Sequence, residues 1–186
     1  MHASPEDLAR DAHYGLLRLL TQFAAAANEA DSPQALQRSL RLIRTYGRWT
    51  AGHVVTFAEG SGARHTVHSF WDVQEHEHSA GFIDHCASYV YTPEKDRLRG
   101  RCLRERKPVW ISDLNGVTPG PRTILLRGIG MHTAFAFPVM LDAEPVAMLE
   151  FFADVREPDA LMLANVGYIG VQRAWRRPST ARKTQS

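Results

Sequence analysis

The chain is short of cysteine, of long apolar runs and of net charge, and each shortage removes a class of function. Cys86 and Cys102 are the two cysteines among 186 residues. They lie far apart and outside any CxxC or Cys/His ligand spacing, which argues against a structural zinc site and against a secreted disulfide framework. A reducing compartment is the expectation. The longest apolar runs are broken by Arg, Asp or Glu well short of the ~20 residues that a membrane span needs, and Met1 to Asp7 lacks a basic region followed by an apolar stretch. A cytoplasmic protein without membrane contact is therefore expected. The formal net charge of +2 is too small to make nucleic acid the default partner. No acidic residue follows Asp159, while Arg173, Arg176, Arg177, Arg182 and Lys183 do; that end reads as a solvated helix end followed by a disordered tail. A chain of this length folds as one domain that buries roughly 70% of its unfolded surface, so it needs no staple.

Periodicity supplies the elements. Leu16, Leu19, Leu20, Phe23 and Ala27 recur at helical spacing, so the first thirty residues read as a leading helix. Asp31-Ser32-Pro33 is a stop and restart, with Ser32 as N-cap and Pro33 at the first helical position, and Leu36, Leu40 and Ile43 form one apolar face up to Gly47. The pattern then turns to β. His53 to Phe57 and Arg64 to Trp71 read as a hairpin around Glu59-Gly60-Ser61-Gly62. An irregular helical excursion through Tyr91 follows, then a short charged helix from Asp96 to Arg106, a strand from Val109 to Ser112 and a loop from Gly116 to Pro121. Two last strands run from Thr133 to Met140 and from Pro145 to Phe152. Along the first, Phe135, Phe137 and Val139 point one way and Ala134, Ala136 and Pro138 the other, which suits a sheet covered on both faces. Pro138 belongs at a strand end or bulge, because it donates no ladder hydrogen bond. The final helix, Asp159 to Arg176, carries two apolar stripes, one through Leu161, Ala164, Tyr168, Val171 and Trp175 and one through Met162, Val166 and Ile169. One stripe is expected on its own domain and the other on an identical subunit, with burial of both under the leading helix as the alternative.

Four segments in order, Leu98-Arg99-Gly100-Arg101-Cys102, Lys107 to Leu114, Met131 to Val139 and Val146 to Phe152, resemble the second half of a GAF domain. The likeness runs roughly from Ser32 to Trp175. It implies an α/β chain of the α+β type, with a central antiparallel sheet of five to six strands, terminal helices on one face and a roof of loops and short helices over a ligand pocket on the other. It divides the chain into residues 1–30 as a dimerisation helix, 31–177 as the sensor domain and 178–186 as the tail. The implied function is signal transduction in a bacterial cytoplasm: an unnamed small molecule occupies the pocket, and occupancy passes to the terminal helices of a homodimer. A histidine kinase or cyclase output domain is the implied further partner. The resemblance implies no cofactor.

Pocket walls on this plan come from Trp71, Phe82, Cys86, Tyr89, Leu98, Trp110, His132 and Phe135, since ligand sites are apolar hollows with a few orienting polar groups. Phe135 and Trp110 read equally as core residues, whereas Tyr89 and His132 carry polar handles. Arg97, Arg99 and Arg101 read as the solvated face of a short helix rather than as anchors for an anion. Glu150 reads as a strand residue paired with an arginine or meeting solvent near a sheet end, in preference to a perturbed carboxylate at the pocket floor.

The family's better-defined subtypes find little here. Cyclic-nucleotide binders carry an Asn-Lys pair, and this chain has none. Bilin-binding members attach the chromophore through a Cys-His pair, where this chain has Pro121-Arg122. Free methionine sulfoxide reductases use several cysteines around the pocket; the nearest position to the reactive one is Arg99, and a later one falls in the Pro119 to Thr123 loop, which has no Cys. No enzyme is therefore expected, with a reductase or a ligand-free dimerisation module as the alternatives. His65 and His68 are three apart on a strand and face opposite sides, and His76 and His78 occupy a polar run, so no metal site is expected either.

Overall fold

The order of apolar residues along five short segments builds a sheet that separates two unlike layers, and that separation places every residue of interest. The computed structural model describes residues 33–58, 60–61, 66–74, 83, 97–116, 120–141 and 144–158. The elements in chain order are α1 (Pro33–Tyr46), β1 (Ala51–Phe57), β2 (Thr66–Val73), α2 (Arg97–Glu105), β3 (Val109–Ile111), α3 (Pro121–Gly128), β4 (Thr133–Leu141) and β5 (Glu144–Ala153). All strand pairs are antiparallel and the order across the sheet is β2-β1-β5-β4-β3. This is the expected α+β sheet, with five strands. The leading helix, the final helix and the tail lie outside the described residues.

Strand parity sorts the side chains. On one face Val54, Phe135, Phe137, Leu149 and Phe151 meet Leu36, Leu40 and Ile43 of α1, together with Trp49. Each such buried aliphatic or aromatic side chain contributes about 1.5–3 kcal/mol by leaving water. On the opposite face Ala51, Val55, Ala134, Ala136, Met148 and Phe152 meet Leu98 and Cys102 of α2 and Leu126 of α3. The residues of β4 divide as expected, bulky toward α1 and small toward α2. Small residues on that second face leave room for larger polar groups.

One tight turn shapes the corner between α1 and the sheet. After α1, Arg48 takes a left-handed conformation with φ 52°, which reverses the chain into β1. The Nε of Arg44 meets Asp72 of β2 in a salt bridge, and Arg44 Nη1 donates to the Trp49 carbonyl, so α1 is stitched to the β1–β2 edge as well as packed on it. Gly47 sits where any side chain would collide: a Cβ there would lie 2.5 Å from Trp49 Cδ1 and Nε1 and 3.0 Å from the Ile43 carbonyl oxygen. Trp49 cannot yield cheaply, because its ring is held against Trp110 and Phe151 at centroid distances of 5.3 and 5.9 Å. Gly47→Ala is therefore expected to cost about 1–3 kcal/mol of stability, as overpacking does. Urea unfolding checks it, and an unchanged midpoint would mean that the indole shifts freely.

Two expectations need correction or completion. Pro121 opens α3 rather than closing a loop: it occupies the first turn, where its missing N–H costs nothing, and Arg-Thr-Ile-Leu-Leu-Arg carries the helix to Gly128. Pro138 pairs opposite Met148 inside β4, but it stands one residue from a register shift at Val139/Met140 and just past the last β3 pairing at Ala136. Its missing donor thus faces an edge that β3 no longer covers. No described helix is long and apolar enough to cross a membrane.

Candidate functional site

One lateral row of residues crosses the sheet on the α2/α3 face. The pairings Trp71 with His53, His53 with Glu150, Glu150 with Ala136 and Ala136 with Val109 run from β2 through β1, β5 and β4 to β3. Parity puts all five side chains on one side. A histidine and a glutamate therefore stand next to each other in the middle of an apolar sheet, with Trp71 beside the one and the methyl of Ala136 beside the other.

The helices above supply the counter-charges. Arg99 from the first turn of α2 and Arg122 from the first turn of α3 both reach Glu150. Arg122 binds it end-on, Nη1 donating to Oε1 and Nη2 to Oε2, each at 2.7 Å. Arg99 donates to Oε2 from Nη2 at 2.9 Å and from Nε at 3.3 Å. All four polar groups are buried: Glu150 is 0% exposed, His53 3%, Arg99 6% and Arg122 7%. A charge so far from water is tolerable only when paired, and here one carboxylate holds two guanidiniums. Arg122 also lies over the rings of Trp71 and Phe152, at 5.6 and 5.1 Å from their centroids. Its planar cation thus rests against two neighbouring rings.

His53 extends the network outward. Its Nδ1 is 2.8 Å from Glu150 Oε2 and its Nε2 is 2.8 Å from Ser69 Oγ, while its ring stacks on Trp71 at 4.1 Å with 9° between planes. An ionised carboxylate only accepts, so the proton sits on Nδ1 and the Ser69 hydroxyl donates to Nε2. Burial pushes the imidazole pKa down to about 3, and the Arg99 and Arg122 charges add to that against the pull of Glu150. Burial alone would raise the Glu150 carboxyl, but Arg122 and Arg99, with hydrogen bonds from His53 and Arg122, hold it well below the usual carboxylate range. The cluster is an ionised glutamate, two guanidiniums and a neutral histidine. Ser69, His53 and Glu150 are hydrogen-bonded in the order of a nucleophile, base and orienting acid. However, burial, with the arginine charges added to it, leaves His53 too weak a base to take a proton from serine near neutrality.

The residues singled out from sequence fall in several places. Trp71 and Leu98 are on the α2/α3 face, Trp71 against His53 and Leu98 in the adjoining core. Trp110 and Phe135 are on the other face with Trp49, where their rings stand 5.5 Å apart, because their parity is opposite to that of Ala134 and Ala136. Of the two readings open from sequence, these two take the core one. His132 precedes β4 at the sheet's end, half-buried beside Asn115, with 3.3 Å between Nδ1 and Asn115 Nδ2. Phe82, Cys86 and Tyr89 lie outside the described residues. Arg99, read from sequence as part of a solvated helix face, is buried on Glu150, because α2 lays Leu98, Arg99 and Cys102 on the sheet below it. Arg101 keeps the exposed role and pairs with Glu105 one turn on, at 2.9 Å. Glu150 is indeed paired with arginine, but at the sheet's centre and without solvent.

His53, Ser69 and Arg122 were absent from the sequence-based candidates. A usable signal existed for the first: Ala51-Gly52-His53-Val54-Val55 and Ala147-Met148-Leu149-Glu150-Phe151-Phe152 each carry one polar residue in an apolar strand. Two such residues in one sheet can only be buried together.

Cys102 is fully buried on the same face, and burial, followed by the nearby Glu150 and Glu105 charges, pushes its thiol pKa up. A thiolate is the reactive form, so this sulfur is inert in the native state. In a Cys86→Ala variant, Cys102 is expected to react with a thiol reagent only as fast as the protein opens, and fast labelling of the folded protein would contradict the burial. Among the described residues no group of three or more His, Cys, Asp or Glu is placed to hold a metal ion.

A family model for the GAF domain matches residues 29–170. No curated protein matches the chain in sequence. Solved structures with a similar fold include the free methionine-R-sulfoxide reductase of Neisseria meningitidis in complex with its substrate, at TM-score 0.62 and 13% identity over 91% of this chain and 90% of that one. The GAF domain of a phosphoenolpyruvate-protein phosphotransferase from Coxiella burnetii superposes at TM-score 0.59 and 11% identity, over 85% and 89%. A GAF domain/HD domain protein from Geobacter sulfurreducens does so at TM-score 0.54 and 17% identity, over 73% and 87%.

Proposed function

Because this chain belongs to the GAF domain family, a family of sensing and regulatory domains, we propose that it binds a small molecule on the α2/α3 face of its sheet and passes occupancy to helices at its two ends. The observation that carries this reading is the buried pair of His53 and Glu150 under Arg99 and Arg122, with the exposed Ser69 hydrogen-bonded to the outer edge of the His53 ring. Hydrophobic residues of similar volume often replace such a buried ion cluster without loss of stability. A set of aligned donors and acceptors at that depth suits the orienting of a ligand, which is what polar groups in an otherwise apolar site do.

Both helices that reach Glu150 do so from their first turns. A ligand that prefers one arrangement of these helices shifts the population toward it, and the shift spreads through the sheet to α1 and to the segment beyond β5. In this reading the end segments pair with a second copy of the chain, in the cytoplasm, beside a histidine kinase or cyclase output module. The reductase reading draws on the Neisseria meningitidis structure alone. On the family resemblance Arg99 stands nearest to the position of the reactive thiol it would need, and Cys102 is buried with a raised pKa.

Native mass spectrometry of freshly purified protein, with its absorbance spectrum, tests the proposal. The expected result is a dimer that carries a small-molecule mass or takes one up from a metabolite mixture. A dimer that takes up nothing would favour a pure dimerisation module, and a monomer that takes up nothing would end the sensing role.

A further inference from the structure

The segment that leaves β5 is tied back onto the turn after α1. Arg156 Nη1 donates to the Gly47 carbonyl, its guanidinium lies 4.5 Å from the centroid of the Trp49 ring, and its backbone N–H donates to Thr133 Oγ1 at 2.9 Å. Thr133 is fully buried and donates in turn to the Ser112 carbonyl at 3.1 Å, so the tie also reaches the end of β3. A cation suits the C-terminal end of a helix, where carbonyls lack partners within the helix itself.

This tie is made at two local costs. Among the described residues the Trp49 indole nitrogen is buried without a hydrogen-bond partner, and such a donor forfeits the water it bonds in the unfolded chain. Arg48 is held at φ 52°, a left-handed conformation that crowds the Cβ of any residue but glycine. One peptide plane is common to both costs. The carbonyl that Arg156 holds belongs to the peptide between Gly47 and Arg48, and rotation of that plane changes Gly47 ψ and Arg48 φ together. The indole nitrogen abuts the same residue, since a Cβ on Gly47 would lie 2.5 Å from Nε1. Turning the plane gives up the bond from Arg156 and the bond from Arg48 N–H to the Thr45 carbonyl, which is long at 3.2 Å.

We propose that Arg156 is a releasable strap. Seated, it holds the Gly47–Arg48 peptide in its present orientation; withdrawn, it lets the plane turn, so that the Gly47 carbonyl accepts from the Trp49 N–H and Arg48 relaxes to negative φ. The indole itself stays packed on Trp110 and Phe151 throughout. The end of α1 and the segment beyond β5 therefore change state together. The device belongs to the chain alone and stands whether or not a ligand binds the opposite face of the sheet.

Nitrogen-15 relaxation dispersion on the whole chain tests it, with the indole N–H resonances assigned by replacing each tryptophan with Phe in turn. Microsecond-to-millisecond exchange is expected at the Trp49 indole and the Arg48 amide, with the Trp71 indole quiet. Thr133→Val, which removes the acceptor of the Arg156 N–H, should raise the released population about fivefold, the worth of one hydrogen bond between neutral groups. Arg48→Gly, which removes the left-handed penalty, should lower it by about the same factor. In Arg156→Met, which keeps an apolar stem and drops the donors, the released form should dominate and show a scalar coupling across the new bond, from Trp49 Nε1 to the Gly47 carbonyl carbon. Exchange absent from both the parent and the Val variant, exchange shared equally by the Trp71 indole, or a change of the same sign in the Val and Gly variants would overturn the proposal. Those three proteins decide it even if the Met variant does not fold, and a folded Met variant without the coupling overturns it as well.

Discussion

Glu150→Ala is expected to lose about 3–5 kcal/mol of folding stability, the cost of breaking a buried ion pair from one side. The truncation leaves Arg99 and Arg122 buried at 6% and 7% exposure with their shared carboxylate gone, and leaves His53 Nδ1–H without its acceptor. Two cations then confront each other in a low-dielectric layer, which is worse than the loss of a hydrogen bond between neutral groups. A second variant separates charge from packing. Replacing Glu150, Arg99 and Arg122 together by Met or Leu of similar volume should restore most of the loss, because the desolvation of three ions disappears with their attraction. Urea unfolding of both variants and the parent measures this. A loss below about 1 kcal/mol in the single variant, the range of an exposed pair, would mean that water reaches the guanidiniums and that the cluster is not sealed.

Acidification is the second large effect. Folded His53 has its pKa pushed down from the usual 6.5 to about 3, so between those values the unfolded chain binds a proton that the folded chain refuses. Stability therefore falls as pH falls through this window, by about 1.4 kcal/mol per pH unit and by about 2 kcal/mol at pH 5. Glu150 adds to the loss lower down. Its folded carboxyl is held well below the ordinary 4.5, so under that pH the unfolded chain takes up a further proton and the slope steepens. The stability that Glu150 brings is complete above its unfolded value and is lost as pH drops toward its folded one. Unfolding by urea at pH 7, 6, 5 and 4 gives the profile, and His53→Asn isolates the histidine from the others in the chain. An Asn variant with an unchanged slope between pH 6.5 and 4.5 would show that His53 titrates normally, and the burial of the row would have to be abandoned.

The sheet was largely readable in advance, and the site was readable only in fragments. Alternation of Phe135, Phe137 and Val139 with Ala134 and Ala136 is a local property of one strand, and it survives folding unchanged because neighbours in sequence are neighbours in the pleat. The same locality placed α1 through Leu36, Leu40 and Ile43. The cluster has no such basis. Glu150 meets His53 across 97 positions, Arg99 across 51 and Arg122 across 28. Nothing near Arg99 in the chain distinguishes it from Arg101, since both sit in one basic run, and only the orientation of α2 over β3 and β4 buries one and exposes the other. Trp110 and Phe135 illustrate the complementary difficulty. Their size marked them as site walls or core, and the choice depended on which face of the sheet the roof occupies, a matter for the whole fold. Pro121 was hidden for a different reason: a proline after glycine reads equally as a loop or as a helix start.

Arg156 ties the end of the last strand to a tryptophan. Its guanidinium rests on the Trp49 ring at 4.5 Å and bonds to the Gly47 carbonyl, while its backbone N–H donates to Thr133 Oγ1 at 2.9 Å. The chain that departs from the last strand is thereby fastened to the corner where the first described helix turns into the sheet. An indole's emission responds to a cation placed against it, so any displacement of that departing segment writes itself into the colour and yield of tryptophan light. The molecule carries its own optical strain gauge at the junction through which a signal would leave.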